Sequence, residues 1–285
     1  MTGKKISIGI FIIVATSALQ AQENINWVKV TDHAGWQPRD SQGELVYKNH
    51  LWILGGWFNS YQPCPRDVWN TTDGKDWNLV QQDAGWKHSD LAMTVVFKDK
   101  MWLMGGWYNG RLPDHSSSNE VWCSTDGVNW EQVTSSAAWS PRAYHQAVVF
   151  NGKIWVLGGG NYVPNHLAFN DVWCSDDGIH WEEVTSSAPW APRLWFSSVV
   201  YRDRIFVLGG WSKSHDNFGD VWYSKDGSKW TELRSNVIWK ARHEHSTFVF
   251  QDKIWVAGGF PRPQVSNEVW SLEIPANWYE NPKLN

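Results

Sequence analysis

Short apolar runs recur along this chain at nearly even intervals, with few helix-like patterns between them. One set reads Leu45-Val46-Tyr47, Val95-Val96-Phe97, Val148-Val149-Phe150, Val199-Val200-Tyr201 and Phe248-Val249-Phe250. A two-residue turn follows each run, of which Asn151-Gly152 is the strongest hairpin signal. The second strand, Leu51-Trp52-Ile53-Leu54 and its counterparts, then ends in a glycine pair: Gly55-Gly56, Gly105-Gly106, Gly158-Gly159, Gly209-Gly210 or Gly258-Gly259. After a variable loop, a third strand is marked by Trp69, Trp122, Trp173, Trp222 and Trp270. A turn such as Ser124-Thr125-Asp126-Gly127 reverses the chain into a fourth strand carrying Trp77, Trp130, Trp181 or Trp230. One unit of about fifty residues is thus written five times. Four antiparallel strands per unit predict an all-β chain, a β-propeller of five four-stranded blades.

Two segments compete to complete the last blade. Ile25-Asn26-Trp27-Val28-Lys29-Val30 matches the fourth strand, and so does the stretch around Trp278. The C-terminal copy has Ile274-Pro275-Ala276 in place of the Asp-Gly turn, so the N-terminal strand is expected to close the ring.

The motif Arg142-Ala143-Tyr144-His145, an apolar strand, Gly158-Gly159, Asp171-Val172-Trp173 and Trp181 resembles the kelch family over roughly residues 25–280. The resemblance implies a propeller, though kelch propellers usually have more than five blades. It also implies a range of roles. Exported bacterial relatives include a sialic-acid epimerase, other relatives are copper-radical sugar oxidases, and intracellular ones are protein scaffolds. The oxidases need a cysteine cross-linked to a tyrosine, and Cys64, Cys123 and Cys174 offer no convincing candidate. No cofactor or metal is therefore expected.

Composition narrows the setting. A formal net charge of -4 leaves no electrostatic footprint for nucleic acid. Lys4 and Lys5, the apolar run from Ile6 to Ala15, and small residues up to Ala21 read as a secretory signal. Residues 22–285 are then expected as one exported domain, periplasmic or secreted, with no membrane attachment after cleavage and three free thiols.

Candidate chemistry lies where the repeat breaks. Of the 24 tryptophans, all but Trp57, Trp107, Trp195 and Trp211 fall in recurring columns suited to packing one blade on the next. The segments leading into the first strands share one face with the loops after the glycine pairs. That face holds most of the histidines, among them His88, and an arginine column: Arg39, Arg142, Arg193 and Arg242. Blade two has Ser89 there, followed by Asp90. Converging guanidinium groups favour a carboxylate ligand. His243-Glu244-His245 and Tyr144-His145 add groups suited to acid–base catalysis.

Together these residues predict an enzyme acting on acidic, uronate- or sialate-containing sugars by cofactor-independent lyase, dehydratase or epimerase chemistry. Tyr144, His145, His243, Glu244 and His245 are the catalytic candidates. The arginines, Trp57, Trp107, Trp195, Trp211, His88 and Asp90 are the binding candidates. A lectin-like glycan-binding propeller and a protein-interaction scaffold are the alternatives.

Overall fold

The computed structural model describes residues 28–59, 62–275 and 278. The expected signal, residues 1–21, and residues 25–27 of the expected closing strand lie outside them. The described chain forms five antiparallel blades, each built in chain order from the centre outward. Blade one comprises Gly43–Tyr47, His50–Leu54, Val68–Thr71 and Asn78–Gln81. Blade two comprises Met93–Phe97, Lys100–Met104, Val121–Ser124 and Glu131–Thr134. Blade three comprises Gln146–Phe150, Lys153–Asn161, Leu167–Ser175 and Glu182–Thr185. Blade four comprises Ser197–Tyr201, Arg204–Leu208, Val221–Ser224 and Trp230–Glu232. Blade five shows three strands among the described residues: Ser246–Phe250, Lys253–Ala257 and Val269–Leu272.

The core lies between blades. Four apolar clusters fill the interfaces one–two, two–three, three–four and four–five. At each, the first-strand aromatic (Tyr47, Phe97, Phe150, Tyr201) is buried, as is the ring that faces it from the second strand (Trp52, Trp102, Trp155, Phe206). The Asp-Gly turn of the next blade completes the first three. A Cβ on Gly127 would stand 2.3 Å from the Trp52 ring, so only glycine lets turn and indole meet. Gly178 against Trp102 and Gly227 against Trp155 repeat the contact. The three cysteines are free and buried, as expected.

No such cluster joins blade five to blade one among the described residues. Phe250 is 61% exposed where its four counterparts are 3–6% exposed, and Val269 is 63% exposed where Val68, Val121, Val172 and Val221 are at most 2%. Three residues of the expected closing strand are described here. Val28, Lys29 and Val30 pair with no blade and are exposed. Val30 lies 3.9 Å from where a Cβ on Gly74 would stand, the place that a preceding blade's tryptophan takes elsewhere. Trp278 instead packs edge-on to Tyr223, with ring centroids 5.5 Å apart, in the core between blades four and five. Trp130 holds the corresponding place between blades one and two. The C-terminal copy therefore supplies the fourth-strand tryptophan of blade five.

This asymmetry is measurable. Phe150→Ser should destabilise by about 3–5 kcal/mol, as large-to-small core changes do, whereas Phe250→Ser should cost under about 1 kcal/mol. Urea unfolding of the two variants checks it, and equal losses would mean that the seam is sealed.

Candidate functional site

The first strands of all five blades begin beneath a common cavity of about 320 Å³. Its floor is set by a device repeated in the segments that lead into those strands. In blade three, Arg142 is fully buried. Its guanidinium donates to the Gly158 carbonyl at 2.8 Å and to both carboxylate oxygens of Asp171 at 2.6 and 2.8 Å, and its Nε donates to the Ser140 carbonyl. Asp171 also accepts the Trp173 indole N–H at 2.8 Å. Arg39 with Asp67, Arg193 with Asp220 and Arg242 with Glu268 repeat the pairing. Blade two, lacking the arginine, sets His88 near Glu120 at 3.7 Å.

The arginine column is thus a clasp between leading segment and third strand. Its charge is spent on a carboxylate and its donors point away from the cavity, so the expectation that four guanidinium groups converge on a ligand is corrected. His88, bonded to Ser116 Oγ at 3.0 Å, also lies outside the cavity lining.

Two residues beyond each arginine-column position the chain reaches the cavity. Three positions beyond it, at Gln42, Ala92, His145, Phe196 and His245, it packs on the second glycine of a pair. A Cβ on Gly159 would stand 2.4 Å from His145, so the glycine is what admits the segment. His145 and His245 are therefore core residues. They are buried beside Trp139 and Trp239, and neither ring nitrogen finds a partner. Burial, with Arg142 or Arg242 nearby, lowers each to about 3. As catalytic candidates both are corrected: they are neutral and closed off from the cavity. His243 is buried too, bonded to Asn217 at 2.6 Å and lowered to about 4 by burial and Arg262. It supports Trp195 from behind, with ring centroids 5.6 Å apart. His243 and His245 face different partners, and among the described residues no three potential metal ligands gather.

The cavity lining mixes aromatic rings and carboxylates, with Trp57 bridged to Asp40 and Trp107 to Asp90. Blades three and four contribute an aromatic cluster. Tyr144 and Trp195 meet edge-on at 4.7 Å, and Tyr162 lies 5.0 Å from Trp195. Trp57 and Trp107 also line the cavity. Trp211 does not; it backs Trp195 and Tyr162 and donates to Asp216. Blades five, one and two contribute Glu244, Asp40 and Asp90, and among the described residues Arg111 is the one cation of the lining. Asp90 is 6% exposed, and its Oδ1 has no hydrogen-bond partner. Burial and the nearby Asp40 carboxylate push it up to about 7. Burial and Asp40 also raise Glu244. Tyr144 is raised by burial, then by Asp90. Its phenol stays protonated.

Of the expected residues, the structure brings together Tyr144, Glu244, Trp57, Trp107, Trp195 and Asp90. Arg111 and Tyr162 escape sequence reasoning because they sit in post-glycine loops of unequal length. Asp40 was legible: it follows Arg39 as Asp90 follows Ser89.

The chain belongs to the kelch-repeat family. The family described as "KLHDC2/KLHL20/DRC7 Kelch-repeats domain" matches residues 19–210 and again 92–285. Part of the chain is similar to a Ras guanine nucleotide exchange factor F of Dictyostelium discoideum, 31% identical over 104 residues, which are 34% of this chain and 9% of that protein. Another match is the flagellar outer-arm dynein alpha chain of Chlamydomonas reinhardtii, 32% identical over 92 residues, 31% of this chain and 2% of that one. The chain spans only a small part of these two relatives. Among solved structures, YjhT aligns with a TM-score of 0.62 and 18% identity, covering 78% of this chain and 73% of YjhT, a likeness of fold.

Two variants separate clasp from core. Arg142→Ala leaves Asp171 unpaired and should destabilise by about 3–5 kcal/mol. His145→Phe copies the native Phe196 and should fold. Because His145 is depressed when folded, its burial stabilises fully only above the ordinary value of 6.5 and is lost as pH falls toward 3. The phenylalanine variant should therefore lose less stability than wild type between pH 6.5 and 4, read from thermal melts.

Proposed function

We propose that the cavity is a saccharide site and that the protein transforms its ligand by acid–base chemistry. The observation that carries this reading is the mixed lining: aromatic rings and carboxylates share one cavity. A sugar ring has matching chemistry, with an apolar C–H face that stacks on aromatic rings and hydroxyls that hydrogen-bond to carboxylates. The volume lies near the lower end of ligand cavities, roughly 300–1,000 Å³, which suits one or two rings.

Asp90 supplies the proton-transfer group. A carboxyl near 7 is populated in both forms at neutral pH, as general catalysis requires. Asp90 removes a C–H proton from the bound sugar; in an elimination the Tyr144 phenol protonates the departing oxygen, and in an epimerisation it returns a proton to the same carbon from the other face. That division fits the lyase, dehydratase or epimerase class and uses no cofactor. In this reading Arg111, which lines the cavity, neutralises one substrate carboxylate, so the acidic-sugar preference rests on it rather than on the clasp arginines. An exported setting, expected from residues 1–21, suits such a substrate.

Incubation with uronate-, sialate- and neutral-terminated oligosaccharides, followed by mass and ultraviolet absorbance, tests the reading. Wild type should convert one class, Asp90→Asn and Tyr144→Phe should lose at least a hundredfold in rate, and Trp195→Ala should weaken binding. Binding without conversion would make the protein a lectin, and neither would end the saccharide reading.

The pH dependence of stability gives a second check. The folded state holds the Asp90 proton more tightly than the unfolded chain, so stability falls as pH rises from the ordinary 3.8 to about 7 and then levels. Asp90→Asn should equal wild type near pH 4 and exceed it at pH 8 in urea unfolding.

A further inference from the structure

One backbone feature occurs once in every blade at the same place. Ser41, Leu91, Tyr144, Trp195 and Glu244 each lie two residues beyond the arginine-column position, and each has a φ between 52 and 56°. This is the left-handed region, which costs a residue with a Cβ about 1–2 kcal/mol. Glycine would fit without that cost, and asparagine or aspartate with less of it. None of the five is glycine, asparagine or aspartate, and no two are alike.

Their neighbours explain the conformation. The residue before each is pinned by an isolated β-bridge to the residue after the glycine pair: Asp40 to Trp57, Asp90 to Trp107, Ala143 to Gly160, Leu194 to Trp211 and His243 to Phe260. The residue after each is pressed onto the pair's second glycine. With both neighbours fixed, the central residue turns left-handed, and its side chain enters the cavity. All five line it. Amide-to-carbonyl bonds from Leu91 to Ser41 (3.0 Å) and from Glu244 to Trp195 (3.0 Å) tie neighbouring blades at this level.

We propose that these five left-handed positions are the specificity-determining set of the cavity. The fold presents one side chain per blade, at a backbone position that makes any side chain unfavourable, and the side chains there are a hydroxyl, an aliphatic chain, a phenol, an indole and a carboxylate. This rests on the saccharide reading for its ligand but not for its backbone argument. Residues kept for packing would gain from glycine's freedom only if they contributed nothing else. Residues kept for recognition oppose the fold's own preference.

The experiment compares Leu91→Gly, Glu244→Gly and Trp195→Leu with wild type, by thermal melting and by binding to an array of neutral, amino, uronate- and sialate-terminated glycans. Gln251→Gly is the control, since Gln251 is also left-handed (φ 49) but sits in a hairpin turn on the opposite rim. Melting temperature should rise by about 2–4 °C in Leu91→Gly and Glu244→Gly. On the array, Glu244→Gly should shift preference toward anionic glycans by about fivefold, the effect of removing one carboxylate from the cavity. Trp195→Leu should reorder the bound glycans, and Gln251→Gly should leave the order unchanged. A fall in melting temperature for both glycine variants would make the column structural and overturn the proposal. So would an unchanged glycan order in Glu244→Gly and Trp195→Leu. If wild type binds no glycan, the saccharide reading fails, while a rise in melting temperature still supports a column kept against stability.

Discussion

The channel mouth depends on a buried pair of opposite charges. In four blades a fully or nearly buried guanidinium is locked onto the carboxylate that opens the third strand. An arginine out of water is tolerable only when its donors are satisfied. Here a carboxylate fork, a glycine carbonyl and a carbonyl of its own segment satisfy them. The consequence is positional: the leading segment cannot drift from the blade, and its next three residues have assigned places. The first bridges to the loop after the glycine pair and, as Asp40 and Asp90, also lines the cavity in blades one and two; the second faces the cavity, and the third fills the core.

The glycine pair is the counterpart of that clasp. Its second member has no side chain because the third residue of the segment lies on it. Blade architecture and cavity lining are therefore one arrangement seen from two sides. The core residue at Gln42, Ala92, His145, Phe196 or His245 can vary in chemistry, since it needs only volume. The cavity residue differs in every blade: Ser41, Leu91, Tyr144, Trp195 and Glu244. Repetition of the scaffold and diversity of the site follow from the same geometry.

Electrostatics in the mouth run opposite to the sequence-level picture. Counting arginines on one face suggests an anion-binding site. Burial removes those charges from the account by pairing each with a carboxylate, and among the described residues leaves Asp40, Asp90 and Glu244 with Arg111 in the lining. Burial, and then repulsion from Asp40, push Asp90 up to about 7. The histidines undergo a similar reassignment: in the same motif, a solvated imidazole would be a proton shuttle, but one packed on tryptophan is a core ring.

The sequence alone determined the strands, the blade count and the role of most tryptophans, because period-two apolar runs, Asp-Gly turns and glycine pairs are local signals that recur. It also marked Tyr144, Glu244, Asp90, Trp57, Trp107 and Trp195 as departures from the repeat, and the cavity gathers all six. Which arginines and histidines face solvent was decided only by tertiary structure, since burial depends on partners far along the chain: Asp171 for Arg142, Trp139 and Gly159 for His145. The same holds for the seam between blades five and one. Trp27 and Trp278 carry equally good strand-four spacing, and packing on Tyr223, an interaction across blades, is what gave Trp278 its place.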